Sequence, residues 1–344
     1  MRAAGKKVRR ISAGTVALSA LALFAAAVLA VDLFIFPLRY VWVYAKMPDI
    51  PARGDGEMRV HFVDVGQGDC TVLEFPGGES MMIDGGCGSA ESNGAVLSAC
   101  AALGIDTLDY ILLTHSDTDH AGGLSAVMDV FGAKTVFLPQ FPEENAAFTL
   151  FRRRAEEAGA QIRTSRIYES IISGTQENYS TLLFLWPMYL KEPDGRSSND
   201  TSAVLYLEFA GRRMLFTGDL SVEVEDKLLN DYVGIEGEIF RLEVPAPWGK
   251  ASVAARLEEL DFYKMGHHGS SGSTGEMLVS LCCPREVFIS CGIGNGYGHP
   301  NLAGISALQA ERPDVNFYRT DELGSYTLTV RADGSYTIER WEDV

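Results

Sequence analysis

Positive charge is scarce in this chain: 29 Lys and Arg stand against 46 Asp and Glu among 344 residues, a formal net charge of −17. The scarcity is uneven. Up to Arg53 there are 8 basic and 2 acidic residues, so the remainder holds 21 basic against 44 acidic and carries a net charge of −23. Nonspecific affinity for nucleic acid comes mainly from Lys and Arg neutralising phosphates, so a surface of this kind repels polyanions. Paired-cysteine motifs are lacking as well. Cys70, Cys87, Cys100, Cys282, Cys283 and Cys291 show no CxxC spacing, and Cys70 and Cys291 sit in apolar strand-like runs, so buried free thiols are expected rather than a disulfide framework. There is no internal repeat. With 47% hydrophobic residues and 35 glycines, the composition is that of a folded enzyme with many tight turns, not of a disordered chain.

One long apolar run is present. It extends from Ile11 to Phe36, broken only by small residues and Asp32, and is long enough to cross a hydrocarbon core of roughly 30 Å. Lys6, Lys7, Arg9 and Arg10 before it predict a cytoplasmic N-terminus. A cleaved signal peptide, with "VLA" at Val28 to Ala30 as its cleavage site, is the competing reading. Against it, "VDLFIFPLRYVWVY" stays apolar and aromatic past that point. The predicted organisation is a basic cytoplasmic segment over 1–10, a transmembrane signal anchor over 11–36, a linker over 37–57, and one globular domain over 58–344. The chain would then be a single-pass protein of the cell membrane with its domain outside the cytoplasm, or a secreted protein if the segment is removed.

The rest alternates between strand and helix patterns. "MRVHFVDV", "CTVLEF" and "SMMIDGG" read as strands, "SNGAVLSACAALG" as a helix, and "LDYILLT" as a strand that delivers the chain to His115. The second half repeats the theme and closes with "GSYTLTV" and "GSYTIER". Residues Val233 to Val253 look like an inserted loop, a lid or a partner surface, with no readable role.

The chemistry concentrates in "THSDTDHAGG", which sets His115, Asp117, Asp119 and His120 within six positions at a strand end. His115 with Asp117 can face one metal ion, and Asp119 with His120 a second. Two ions about 3.5–4 Å apart would clamp the attacking and leaving oxygens of a hydrolytic displacement. Gly122 and Gly123 would let the backbone turn tightly behind these ligands. Asp219, after the apolar run of "LFTGD", is placed to bridge both ions. His267 and His268 end another strand in "YKMGHHGSSGST", and small residues such as Ser270 leave room for a ligand. Asp84 could orient a metal-bound histidine, while Asp64 and Asp69 frame the Gly-rich turn "DVGQGD".

Taken together, "VDVGQGDCTVLEF", "MMIDGG", "LDYILLTHSDTDHAGGL", "NDTSAVLYLEFAGRRMLFTGD", "YKMGHHGSSGST" and "GNGYGHP" resemble, in order, the metallo-β-lactamase-fold domain that ends the ComEC competence proteins of DNA uptake. The resemblance runs from about Met58 to Val330. It implies an α/β fold, a four-layer αββα sandwich with two divalent metals between its sheets. It further implies His115 and Asp117 on the first metal, Asp119, His120 and His267 on the second, and Asp219 as the bridge. Relative to the wider superfamily, Asp117 stands where a second histidine is usual. The third-histidine region reads "SSNDTS", leaving Asn199 or Asp200 as candidates. More oxygen among the ligands shifts the expected ion from zinc toward manganese. His299 would contact the leaving group or replace His267 as ligand.

The expected function is therefore a metal-dependent phosphodiesterase or nuclease. Asp119 and Asp219 would hold the attacking water, His268 would bind phosphoryl oxygens, and His299 would protonate the departing alkoxide. A hydrolase of a small or cell-envelope ester or phosphodiester is the alternative, and it fits the acidic surface better. A non-catalytic, metal-stabilised binding module is the third. Expected partners are the membrane, through the N-terminal helix, and DNA or another phosphodiester; no obligate protein partner is readable.

Overall fold

The computed structural model describes residues 13–34, 40–41, 43, 47–188, 195, 197–234 and 241–342. In chain order the helices are α1 (Ala13–Phe34), α2 (Ala90–Ala102), α3 (Thr118–Ala121), α4 (Leu124–Val130), α5 (Ala146–Glu157), α6 (Val222–Gly234), α7 (Glu276–Cys282), α8 (Leu302–Glu311) and α9 (Thr320–Leu323). The strands of the first half are β1 (Met58–Phe62), β2 (Thr71–Glu74), β3 (Ser80–Ile83), β4 (Leu108–Leu112), β5 (Ala133–Leu138), β6 (Gln161–Thr164), β7 (Ser170–Gly174) and β8 (Tyr179–Trp186). Those of the second are β9 (Val204–Phe209), β10 (Arg212–Phe216), β11 (Arg241–Ala246), β12 (Gly249–Ala254), β13 (Phe262–Lys264), β14 (Glu286–Ile289), β15 (Asn316–Arg319), β16 (Tyr326–Val330) and β17 (Tyr336–Arg340).

Two mixed sheets result. One has the order β17-β16-β1-β2-β3-β4-β5-β6, the other β15-β14-β13-β10-β9-β8-β7. Alternation along the strands explains why they stack. In β8, Leu182 and Phe184 face the sheet-to-sheet interior while Leu183 and Leu185 face helices; in β3, Met81 and Ile83 point inward and Met82 outward. Successive side chains on a strand point to opposite faces, so a strand apolar on both faces must be covered on both. Phe62, Phe184, Phe216, Phe262 and Phe288 fill the layer between the sheets. The outer faces pack on α2, α4 and α5 on one side and on α6, α7 and α8 on the other, which completes the expected αββα order.

Two expectations change here. Residues 1–12 and 35–36 of the N-terminal segment lie outside the described residues, and of α1 the side chains of residues 16–31 are described, all exposed except the half-buried Val31. Among the described residues no helix is long and apolar enough to cross a membrane, so the transmembrane span is not supported. The inserted loop, in turn, contains a hairpin. β11 pairs antiparallel with β12, Val244, Ala251 and Val253 join the core beneath α6 and α7, and Trp248 packs on Tyr179 of β8. Its alternation was short and interrupted by Pro245, so the strand signal was weak. All six cysteines are free, four of them buried.

Candidate metal centre

β4 ends at Leu112 and the chain passes through Thr114 into His115 before α3 begins, so the sheet edge fixes where the first histidine sits. Asp84, at the end of β3 beside it, accepts from Thr114 N (2.8 Å), from Thr114 Oγ1 (2.7 Å) and from His120 Nδ1 (2.8 Å). This leaves His120 Nε2 directed away from Asp84, 3.3 Å from Asp219 Oδ2. Because the Thr114 hydroxyl proton goes to Asp84, its oxygen accepts from His115 Nδ1 (3.1 Å), and His115 Nε2 is likewise left to face the cluster. A carboxylate or hydroxyl behind one ring nitrogen sets the tautomer and raises the basicity of the other.

From the second sheet come Asp219, after β10, and the His267–His268 pair, after β13. His268, rather than the expected His267, places its Nε2 beside both Asp119 Oδ2 (3.3 Å) and Asp219 Oδ2 (3.5 Å). Its Nδ1 donates to Ser290 O at 3.0 Å, which again leaves Nε2 with a free lone pair. His267 Nε2 lies 3.7 Å from Asp219 but its side chain is 31% exposed, at the mouth rather than on the floor. Both residues have positive φ, 47° and 53°, a conformation that costs a non-glycine residue of order 1 kcal/mol or more and that the surrounding structure must hold. That backbone decides which of two adjacent histidines points inward.

The remaining predicted residues divide. Asp117 lies 3.8 Å from His115 Nε2 and is partly exposed, and Asp219 reaches the same nitrogen at 4.0 Å. Asp200 accepts from Ser221 Oγ and so turns from the cluster, Asn199 offers its backbone carbonyl to Ser202 N, and Ser202 Oγ accepts from Asp219 N at 3.1 Å. Ser270 accepts from Gly272 N through its hydroxyl. Asp64 closes its own turn on Gly66 N and lines an adjoining cavity. His299 sits above the cluster, its ring centroid 5.7 Å from that of His267 and 6.1 Å from that of His268.

Gly122 and Gly123 serve a purpose other than turning. Their φ values are −59° and −83°, open to any residue, but a Cβ would lie 2.3 Å from Cys87 O at the first and 2.0 Å from Gly85 O at the second. They let the 85–88 loop press against α3. Lys264 is the residue that sequence reading missed. It is buried, with Nζ 2.8 and 3.0 Å from the two oxygens of Asp69. Asp69, His120, Asp219 and His268 offer ligand atoms all within 4.8 Å of one another, and Lys264 balances the charge of Asp69, whose Oδ1 has no hydrogen-bond partner. A lysine inside the apolar run "LDFYKM" was the available signal.

Electrostatics reinforce the geometry. Burial works to raise the Asp219 carboxyl, but His120, His268 and His115 outweigh it and hold it well below the usual carboxylate range. Burial acts likewise on Asp119, and His268 at 3.3 Å together with the charge of His120 brings it down to about 2. His120 is the converse: burial would lower it, and Asp219 and Asp84 push it well up, so a cation bound at Nε2 would displace a proton. Meanwhile His115 Nε2, His120 Nε2, His268 Nε2 and Asp219 Oδ1 are buried without a hydrogen-bond partner. A buried polar atom left unpaired costs of order 1–3 kcal/mol, and His120, His268 and Asp219, converging within 4.8 Å with His115 beside them, fit a divalent cation. Imidazole nitrogen with carboxylate oxygen suits zinc or manganese.

Residues 63–152 match the model of the metallo-beta-lactamase superfamily. The chain is 28% identical over 286 residues to ComE operon protein 3 of Bacillus subtilis (strain 168), covering 78% of this chain and 32% of that protein. It is 27% identical over 273 residues to competence protein ComA of Neisseria gonorrhoeae, covering 79% and 32%. The chain thus spans about a third of the length of these relatives. Among solved structures, the metallo-beta-lactamase fold protein YhfI from Bacillus subtilis aligns with a TM-score of 0.47 at 11% identity, over 79% of this chain and 99% of that one.

Proposed function

Since the chain carries a metallo-β-lactamase domain related to the ComEC proteins, we propose that it is a metal-dependent hydrolase that cleaves phosphodiesters with water at a dinuclear centre. The convergence of orphaned donors from His115, His120, His268 and Asp219 carries this reading. His115 and Asp117 would hold one ion, Asp119, His120 and His268 the other, with Asp219 between them. Bound zinc or manganese supplies Lewis acidity and lowers the pKa of water toward neutrality. Asp84 and Ser290 O fix the tautomers of His120 and His268, so both rings meet a cation without rotating. Asp119, held ionised, accepts a proton or hydrogen bond from the attacking water. His299 has a buried, unpartnered Nδ1 and lies above the cluster, placed to exchange a proton with the departing oxygen.

DNA as substrate is suggested by the resemblance to the ComEC competence proteins and opposed by the charge of −23 beyond Arg53. A small or envelope-linked phosphodiester fits that charge better. Assay of the metal-stripped chain, reloaded with manganese or zinc, on single-stranded DNA and on bis(p-nitrophenyl) phosphate separates the two, with Asp119→Ala as control. Metal- and Asp119-dependent cleavage of both makes it a nuclease; cleavage of the small diester alone makes it a small-substrate enzyme; cleavage of neither ends the hydrolase reading.

We also propose that α1 attaches the chain to a membrane with the domain outside the cytoplasm. The support is the exposed apolar row Val16, Leu18, Leu21, Leu23, Phe24 and Leu29 behind a basic N-terminus. Flotation with lipid vesicles that persists after deletion of residues 1–36 would refute it.

A further inference from the structure

A cavity beside the cluster has a chemistry of its own. It measures about 730 Å³ and lies between the turn after β1, the start of α2 and the loop after β14, with Asp119 in its wall. The charged side chains lining it are Asp64, Glu91 and Asp119, and no Lys, Arg or His is among its described lining residues. Its lip carries two large apolar side chains that nothing covers, Ile293 and Tyr297, 82% and 75% exposed. Tyr297 stacks on His299, centroids 5.7 Å apart and planes 26° from parallel, so its ring adjoins the group placed to meet the leaving oxygen. A helix N-terminus ordinarily favours anions, and the first residues of α2 do line the cavity. Here that preference is already met: Ser89 Oγ accepts from Ser92 N, and Glu91 puts a carboxylate in the first turn.

We propose that this cavity receives a group esterified to the scissile phosphate and admits it only when that group is uncharged or cationic. The substrate is then a compact diester with a single phosphate, not a strand whose next phosphate would enter beside the uncompensated carboxylates of Asp64 and Glu91. Like charges a few ångströms apart in a partly desolvated cleft repel far more strongly than in water, whereas an exposed tyrosine face accepts a flat ring or a cation. This inference rests on the hydrolase reading and adds to it the class of substrate.

The test uses the full metal-loaded chain and two substrates that differ by one phosphate: thymidine 5′-(p-nitrophenyl phosphate) and its 3′-phosphorylated counterpart. The expected result is a kcat/KM at least about tenfold lower for the phosphorylated one, mostly through KM, equivalent to about 1.4 kcal/mol. Glu91→Gln should narrow that gap, added salt should narrow it too, and Tyr297→Ala should raise KM for the singly charged substrate. Saturation-transfer NMR on the metal-free chain gives a readout independent of turnover, with thymidine expected to bind and thymidine 3′-phosphate not. Equal kcat/KM for the two diesters, or a gap indifferent to Glu91→Gln, overturns the charge filter and leaves the hydrolase standing. Turnover of neither diester overturns the hydrolase reading and with it the substrate assignment.

Discussion

Two buried histidines, His61 and His120, lie in the same half of the sandwich and each leans on a carboxylate at 2.8 Å, yet they do different work. Both ring nitrogens of His61 find a partner. Trp341 Nε1 donates to Thr327 Oγ1, the Thr327 hydroxyl donates to His61 Nδ1, and His61 Nε2 donates to Glu74, which also faces Arg59 at 3.4 Å. Burial pushes His61 down toward the neutral form such a relay requires. Around His120 the chain of donors stops short, with Nε2 buried and unpaired among the atoms of Asp219, His115 and His268. A histidine with both nitrogens satisfied is architecture; one with a nitrogen left over, in company, is a ligand in waiting.

That contrast can be broken by experiment. Asp219→Ala removes the carboxylate facing His115, His120, His267 and His268, and it should reduce zinc or manganese affinity by more than about 100-fold, measured by competition with a chelator, with turnover falling alongside. An unchanged affinity would mean that the cluster binds no metal. Asp84→Asn leaves every ligand present but disturbs the tautomer of His120, and a loss of about 10–100-fold in affinity is expected. If affinity holds while stability falls, Asp84 is merely structural. His61→Ala should do the reverse, costing about 1–3 kcal/mol in urea unfolding because Glu74 and Thr327 lose their partner, with metal affinity unmoved.

A further test concerns Glu225, another buried acid outside the cluster. It accepts from Thr274 N (3.1 Å) and Gly275 N (3.0 Å) at the start of α7, and burial without a cation raises its pKa to about 7. A carboxyl whose folded pKa is raised contributes most below its unfolded pKa of 4.5, and that contribution is lost as pH rises to about 7. The free energy of unfolding should therefore fall by about 3 kcal/mol across that window. Glu225→Gln, a mimic of the protonated form, should flatten this part of the profile; an unaltered slope would assign it to other groups.

Much of this was legible in the sequence because it depends on neighbours along the chain. Period-two alternation in "MRVHFVDV" and "SMMIDGG" placed strands that are observed as β1 and β3, and the apolar run ending at Thr114 put His115 at a strand end. The β11–β12 hairpin was not legible, since its apolar face exists only against α6, α7 and β8. The metal centre divides along the same line. Residues within one loop, from His115 to His120, announced themselves by spacing, whereas Asp200 was drawn in by proximity in sequence and turns to Ser221 in space.

The sequence by itself determined the alternation of strands and helices, the grouping of His115, Asp117, Asp119 and His120 at a strand end, and the acidity of everything after the N-terminal segment. Those follow from residue type and spacing, which are local quantities. Only the tertiary structure decided that His268 rather than His267 faces Asp119 and Asp219, because the choice lies in two positive φ angles held by packing. It alone joined Lys264 to Asp69, 195 positions apart, and set Gly122 and Gly123 against the backbone of residues 85–88. Contacts across such separations form when two sheets close on each other, and no periodicity along the chain encodes which atoms then meet.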